Sequence, residues 1–414
     1  MFNVLLLVTV ISLLLICIMI FKDIICPPVI MCIAWTIPIA VITITEMFKN
    51  NSYEFNKYAF VFVLGIILFV LGYVAINRKT IRNNFRLNLN KKLIPKKGLI
   101  ILIIIEIVVF IIFFIGVYKY VMSHYKYNFW FSYKYATELG YYKEFLITPF
   151  FRALSRFLVC LLFINYLNDN NKYNRNLFFI QLVITFLYSA LGQGRGGMFS
   201  FLIPLFIIYV MMKRKSIIQI AKNLGIMFVI LMIVFVGYSK VKNPYEDQDI
   251  EYYLKKFENY TSGSLVAFCN WADNDNKEMA YGKYTFRFFY AVLNSLGFDV
   301  EVKSMVEPYV ENLNGNVGNV YTIYKWYAND FGLVYAILMQ FLVGILHGIL
   351  YRNSYEKNDY FWIVINALFY YPLVMQFFMD EYVTLLSLWI QYAIIGVFLI
   401  RFNFIFNIVE CEKN

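Results

Sequence analysis

Between two apolar runs, the stretch SALGQGRGGMFSFL (Ser189–Leu202) sets Arg195 among four glycines, Gly192, Gly194, Gly196 and Gly197. Glycine lets the backbone turn tightly and lets a second group approach closely. A glycine-rich turn ahead of a helix also presents free N–H groups to an anion, and a guanidinium adds a fork suited to phosphate oxygens. These residue types describe an anion cradle; a turn carrying a snorkelling arginine is the plainer alternative. Arg152 and Arg156, in TPFFRALSRFLV, are four apart and share one helix face, where they either serve a site or snorkel to lipid phosphates. Glu106, inside IIIEIVV, is an ionisable group in an apolar run. That suits a proton or ion relay, or an ion pair with Arg152 or Arg156, and the ion pair is the expectation. His347, in GILHGIL, reads as a hydrogen-bonded packing residue. Two short motifs carry little: DFG (Asp330–Gly332) has no accompanying nucleotide or catalytic loop, and DND (Asp273–Asp275) is a pattern common by chance.

The elements that must position these groups follow from composition. The 414 residues are 61% apolar, 20% aromatic and only 15% charged, against about 25% charged in a soluble domain. A membrane helix needs about 20 mostly apolar residues. Spans are predicted at 2–21, 24–44, 57–76, 98–118, 144–166, 177–192, 197–212, 222–238, 332–351, 360–379 and 382–400. The expected fold class is all-α: a polytopic membrane helix bundle of about 11 transmembrane helices with a large external loop. Residues 1–414 read as a single integral membrane domain with 239–331 as that inserted loop. The six cysteines form no CxxC pair and there are two histidines, so neither a zinc site nor a metal cofactor is expected.

Orientation comes from the bias of short loops. Between the third and fourth spans lie Arg78, Lys79, Arg82, Arg86, Lys91, Lys92, Lys96 and Lys97, with no acid among them. That loop is predicted to be cytoplasmic, and Lys172, Arg175, Lys213–Lys215, Arg352, Lys357 and Arg401 then fall on the same side. Residues 239–331 fall outside, with nine basic and thirteen acidic residues in a chain whose net charge is +11. The basic total thus reports topology, not nucleic-acid binding. In DIEYYLKKFENY, Ile250, Tyr253, Leu254, Phe257 and Tyr260 recur with helical period, predicting an amphipathic helix on the membrane surface or over a cavity. A second outer loop, 119–143, is rich in Tyr, Phe and Trp. An aromatic belt at the interface accounts for it, with stacking on sugars as the sharper alternative.

The stretch GNVYTIYKWYANDFGLVYAILMQFLVGILHGILYRNS (Gly318–Ser354) resembles an element of the Wzy-type O-antigen and capsule polymerases, which join oligosaccharide repeat units. The matching residues are Asn319, Val320, Tyr321, Thr322, Asp330, Phe331, Gly332, Tyr351 and Arg352. The glycine-arginine turn typical of that family is matched at Gly194, Arg195 and Gly196. The resemblance covers these two motifs and the general layout of spans and outer loop.

It implies a metal-independent glycosyltransferase of the bacterial cytoplasmic membrane, with its active site on the external or periplasmic side. The growing glycan would pass from undecaprenyl pyrophosphate to a hydroxyl of the next lipid-linked repeat unit. Implied partners are that oligosaccharide, membrane lipid, a chain-length regulator and a flippase. Such a reaction needs positive charge at the pyrophosphate and a base at the acceptor hydroxyl. Arg195, Arg152, Arg156, Arg287 and Lys325, with Gly194 and Gly196, are the candidates for pyrophosphate binding. Asp330, then Glu307 and Asp380, are the candidate bases. An O-antigen ligase shares the donor and the outer loop. A lipid-linked oligosaccharide flippase would instead call for internal repeats and charges through the bundle core.

Overall fold

The computed structural model describes residues 2–48, 53–77, 96–125, 129–138, 141, 142, 144, 145, 147–191, 195–213, 219, 222, 225, 236, 237, 249–274, 279–304, 307, 309–311, 313, 317–357 and 359–401. The described residues are helical almost throughout. In order, the helices are α1 (Phe2–Phe21), α2 (Pro27–Phe48), α3 (Phe60–Ile76), α4 (Lys96–His124), α5 (Phe129–Glu138), α6 (Thr148–Asn168), α7 (Lys172–Leu191) and α8 (Arg195–Lys213). They continue with α9 (Ile250–Asp273), α10 (Arg287–Ser295), α11 (Tyr324–Phe331), α12 (Leu333–Glu356), α13 (Tyr360–Met375) and α14 (Leu386–Gly396). Two two-residue strands, β1 (Val310–Glu311) and β2 (Val317–Gly318), pair antiparallel between α10 and α11.

Among the described residues, seven helices are long and apolar enough to cross a membrane: Phe2–Phe21, Pro27–Thr45, Lys57–Ile76, Gly98–His124, Thr148–Asn168, Gly196–Lys213 and Leu333–Glu356. The protein is therefore built as a helical membrane protein. The predicted span 222–238 falls almost wholly outside the described residues. Helix α7 has the length of a span, but Lys172, Asn174, Arg175 and Asn176 make its first turns polar. Residues 360–375 and 386–400 form shorter apolar helices.

The chain divides into two compact units. The first comprises Met1–Arg86, Asp249–Glu356 and Pro372–Ser387. Its centre is aromatic: Trp35 stacks on Phe62 at 4.9 Å, and Tyr324 packs against Trp35, Phe62 and Phe268. Helices α3 and α12 approach backbone to backbone, because a Cβ on Gly72 would lie 2.1 Å from the Phe341 carbonyl oxygen and one on Gly344 2.1 Å from that of Phe69. Small residues at a crossing allow such approach between membrane helices. Helix α9 begins at an Asp249 cap, which accepts from the Tyr252 amide at 2.7 Å. The amphipathic pattern at its start is present, but α9 does not simply lie on a surface. Leu265 to Cys269 are all buried, Ser262 donates to the Pro38 carbonyl at 2.9 Å, and Ser264 donates to that of Phe377 at 2.6 Å.

The second unit comprises Leu87–Gln248, Lys357–Tyr371 and Leu388–Asn414. Helices α6 and α7 pack as a pair, with α4 and α8 against both. The aromatic stretch Phe129–Glu138 forms α5 and folds its rings onto one another and onto α4. Tyr133 is fully buried beside Phe113, Val117 and Val121, and the Tyr120 and Tyr142 rings are 4.9 Å apart.

Candidate functional site

In the first unit, the Asn-Val-Tyr-Thr element leads directly into α11. Its backbone is anchored where the Ile323 amide donates to the Gln376 carbonyl at 2.9 Å. This brings Asn319, Tyr321, Thr322 and Trp326 together with Glu307 and Asp380 around a cavity of about 20 Å³. That volume holds one water molecule or one hydroxyl group. Thr322 is buried there, and its hydroxyl has no hydrogen-bond partner among the described residues.

Asp380 sits in the turn between α13 and α14. One carboxylate oxygen accepts from the Tyr327 hydroxyl (2.8 Å) and the Tyr382 amide (3.2 Å), the other from the Thr384 amide (2.9 Å). Burial pushes its carboxyl above the usual range, while those hydrogen bonds pull it down. Lys325 and Glu307 form a largely buried ion pair at 2.8 Å. The Lys325 ammonium also lies 3.4 Å from the Tyr321 ring centroid, a cation–π contact. Burial lowers the Lys325 pKa, and the hydrogen bond and charge of Glu307 oppose the shift.

Thr384 also lines a second, open cavity of about 280 Å³ together with Arg287, Phe288, Ser295, Val383 and Ser387. Arg287 begins α10, and its Nε donates to the Lys303 carbonyl at 2.7 Å. One guanidinium, several hydroxyls and an apolar wall make this groove suited to a phosphate carried on a lipid. Beside it, exposed Glu301 bridges Lys283 (2.7 Å) and Lys303 (2.5 Å), and these partners lower its pKa to about 2.

Asp330 has a different place. It is fully buried, and its carboxylate accepts from the amides of Tyr284 (3.2 Å) and Thr285 (2.6 Å), which ties the segment before α10 to α11. Phe331 packs on Tyr335, and Gly332, at φ +86°, ends the helix. The Asp-Phe-Gly element thus works as an anchor and a helix stop; its aspartate is not among the residues lining either cavity.

In the second unit, Arg195 is the first residue of α8; its side chain and residues 192–194, with Gly194, lie outside the described residues. The helix start is closely packed: a Cβ on Gly196 would come within 2.9 Å of the Tyr371 hydroxyl. One on Gly197 would lie 3.7 Å from Arg156 Nη2, so Arg156 stands beside the glycine-rich helix N-terminus. Arg156 also hydrogen-bonds Tyr392.

Arg152 points to other work. It pairs with Glu144 at 2.6 Å and lies over the Phe113 ring. The expected pairing of Glu106 with Arg152 or Arg156 is not formed. Glu106 lies at the level of Ser155, one turn further along α6 than Arg152, and Gln181 donates to it at 2.5 Å. Sequence reasoning overlooked Gln181, and also Glu144, which no motif or periodicity singles out. His347 is a buried packing residue hydrogen-bonded to Tyr382 at 2.8 Å, as its setting suggested.

No known protein family, curated protein or solved structure matches this chain.

Proposed function

We propose that this chain is a polysaccharide polymerase that extends a glycan at the outer face of a bacterial cytoplasmic membrane. In this reading the chain spans the membrane about eleven times, with 239–331 outside. The observation that carries the proposal is the convergence of Asn319, Tyr321, Thr322, Glu307 and Asp380 on a cavity the size of one hydroxyl, beside the Arg287 groove.

The acceptor hydroxyl of a lipid-linked repeat unit enters the small cavity. Its oxygen attacks the anomeric carbon of the growing glycan as the bond to the pyrophosphate oxygen breaks. Asp380 takes the hydroxyl proton, and the polyprenyl pyrophosphate leaves as the anion. Arg287 offsets the charge that develops on it, with its lipid along the apolar wall. Lys325 and Glu307 hold the Tyr321 ring beside the acceptor. Arg156, beside the α8 N-terminus, and Arg195 supply a further anion-binding region in the second unit.

The test is the full chain, purified in lipid nanodiscs and given lipid-pyrophosphate-linked repeat units without nucleotide or ion gradient. Chain-length ladders are expected, and Arg287→Ala should lower kcat/KM by about 100-fold. Glycan passed only to an unrelated acceptor would identify a ligase. Transbilayer movement with no new glycosidic bond would identify a flippase. Either result overturns the proposal.

A further inference from the structure

Glu106 has no part in the proposed transfer, yet it is the most unusual ionisable group of the second unit. It lies inside the apolar span Gly98–His124 with no exposed surface. Two helices bring polar groups to it. From α7, Gln181 Nε2 donates to Glu106 Oε2 at 2.5 Å and to Ser155 Oγ of α6 at 3.0 Å. The Ser155 and Thr185 hydroxyls are 2.9 Å apart, and Ser155 also hydrogen-bonds the carboxyl. The Tyr188 hydroxyl donates to the Glu106 backbone carbonyl at 3.1 Å.

Two oxygens are left over. Glu106 Oε1 and Gln181 Oε1 are buried with no hydrogen-bond partner among the described residues. Among the described residues no cation neutralises the carboxylate either. Four charged or titratable groups on the helices packed against α4 are engaged elsewhere. Arg152 of α6 pairs with Glu144, Arg156 hydrogen-bonds Tyr392, and Tyr133 of α5 donates to Glu144 at 3.0 Å. Tyr188 of α7 serves the backbone. An anion held by neutral donors alone, with one oxygen bare and the membrane around it, is strongly disfavoured. A proton removes the charge, and the neutral acid fits the amide and hydroxyl groups that surround it.

We infer that Glu106, Gln181, Ser155 and Thr185 form a membrane-embedded proton-binding site, in which Glu106 is held as the carboxylic acid and exchanges its proton reversibly. The site stands independently of the polymerase reading and gives the second unit a group able to sense pH or relay protons.

Dicyclohexylcarbodiimide, an apolar reagent that modifies protonated carboxyls, tests this on the wild-type chain in nanodiscs, with adducts mapped by mass spectrometry of the α4 peptide. Labelling of Glu106 is expected at pH 7. It should fall reversibly at least tenfold as the pH is raised, with no change when sodium or potassium is added. Absence of an adduct at every pH would overturn the inference, as would labelling that ignores pH, which marks a trapped structural acid. Protection by sodium would also overturn it and make this an alkali-cation site. Because the readout needs no substitution and no substrate, it stands apart from the glycan-transfer assay. Infrared spectra of protein labelled with ¹³C-glutamate give a second reading, since a neutral acid shows a carbonyl band that vanishes on deprotonation.

Discussion

At the residue scale, the candidate site turns on which carboxylate has room beside it. Asp330 accepts from the amides of Tyr284 and Thr285 and lines neither cavity, which suits it to holding the chain. Asp380 and Glu307 instead line the hydroxyl-sized cavity. A general base acts as the anion, so activity disappears as pH falls through its pKa. Burial raises that of Asp380, which moves the acid limb of kcat/KM above the ordinary carboxylate range of about 4. The pH profile of glycan transfer should show this shift. Asp380→Asn should lower the rate by about 100-fold or more while the protein elutes from gel filtration unchanged. An acid limb at the ordinary carboxylate value would remove Asp380 from the role.

At the element scale, the position of the candidate site rests on how closely α3 and α12 approach, because α12 follows directly on α11 and the Asn-Val-Tyr-Thr element. Gly72 and Gly344 leave no space for a side chain, since the atoms facing them are backbone carbonyls that cannot rotate away. Gly344→Leu should therefore separate the helices and destabilise the first unit by about 1–3 kcal/mol. A lowered melting temperature in detergent is the readout; a surface change such as Leu338→Ala, at an exposed position of the same helix, should leave it in place. Unaltered melting of Gly344→Leu would mean that the crossing is looser than described. Helix α9 shows the same lesson from another side. Its amphipathic start was legible from the spacing of Ile250, Tyr253, Leu254 and Phe257. The burial of Leu265 to Cys269 was not, because it depends on α2 and the turn after α13 closing around it.

At the scale of the whole molecule, the unequal distribution of Lys and Arg makes a topological prediction. Single cysteines placed at Arg86 and at Tyr281, in a chain freed of its six native cysteines, should label from opposite sides of the membrane with an impermeant maleimide. Labelling of both from one side would sink the proposed orientation and, with it, an outer active site. The sequence by itself determined that this is a helical membrane protein and where most of its helices run. Hydropathy and helical period are properties of neighbouring residues, so a linear reading captures them. Only the tertiary structure decided that Asp380 meets Tyr327 across 53 residues, that Glu106 meets Gln181 across 75, and that each unit is assembled from three separated segments. Those pairings follow from which helix faces pack together, and that choice depends on shape and backbone approach between segments far apart in the chain.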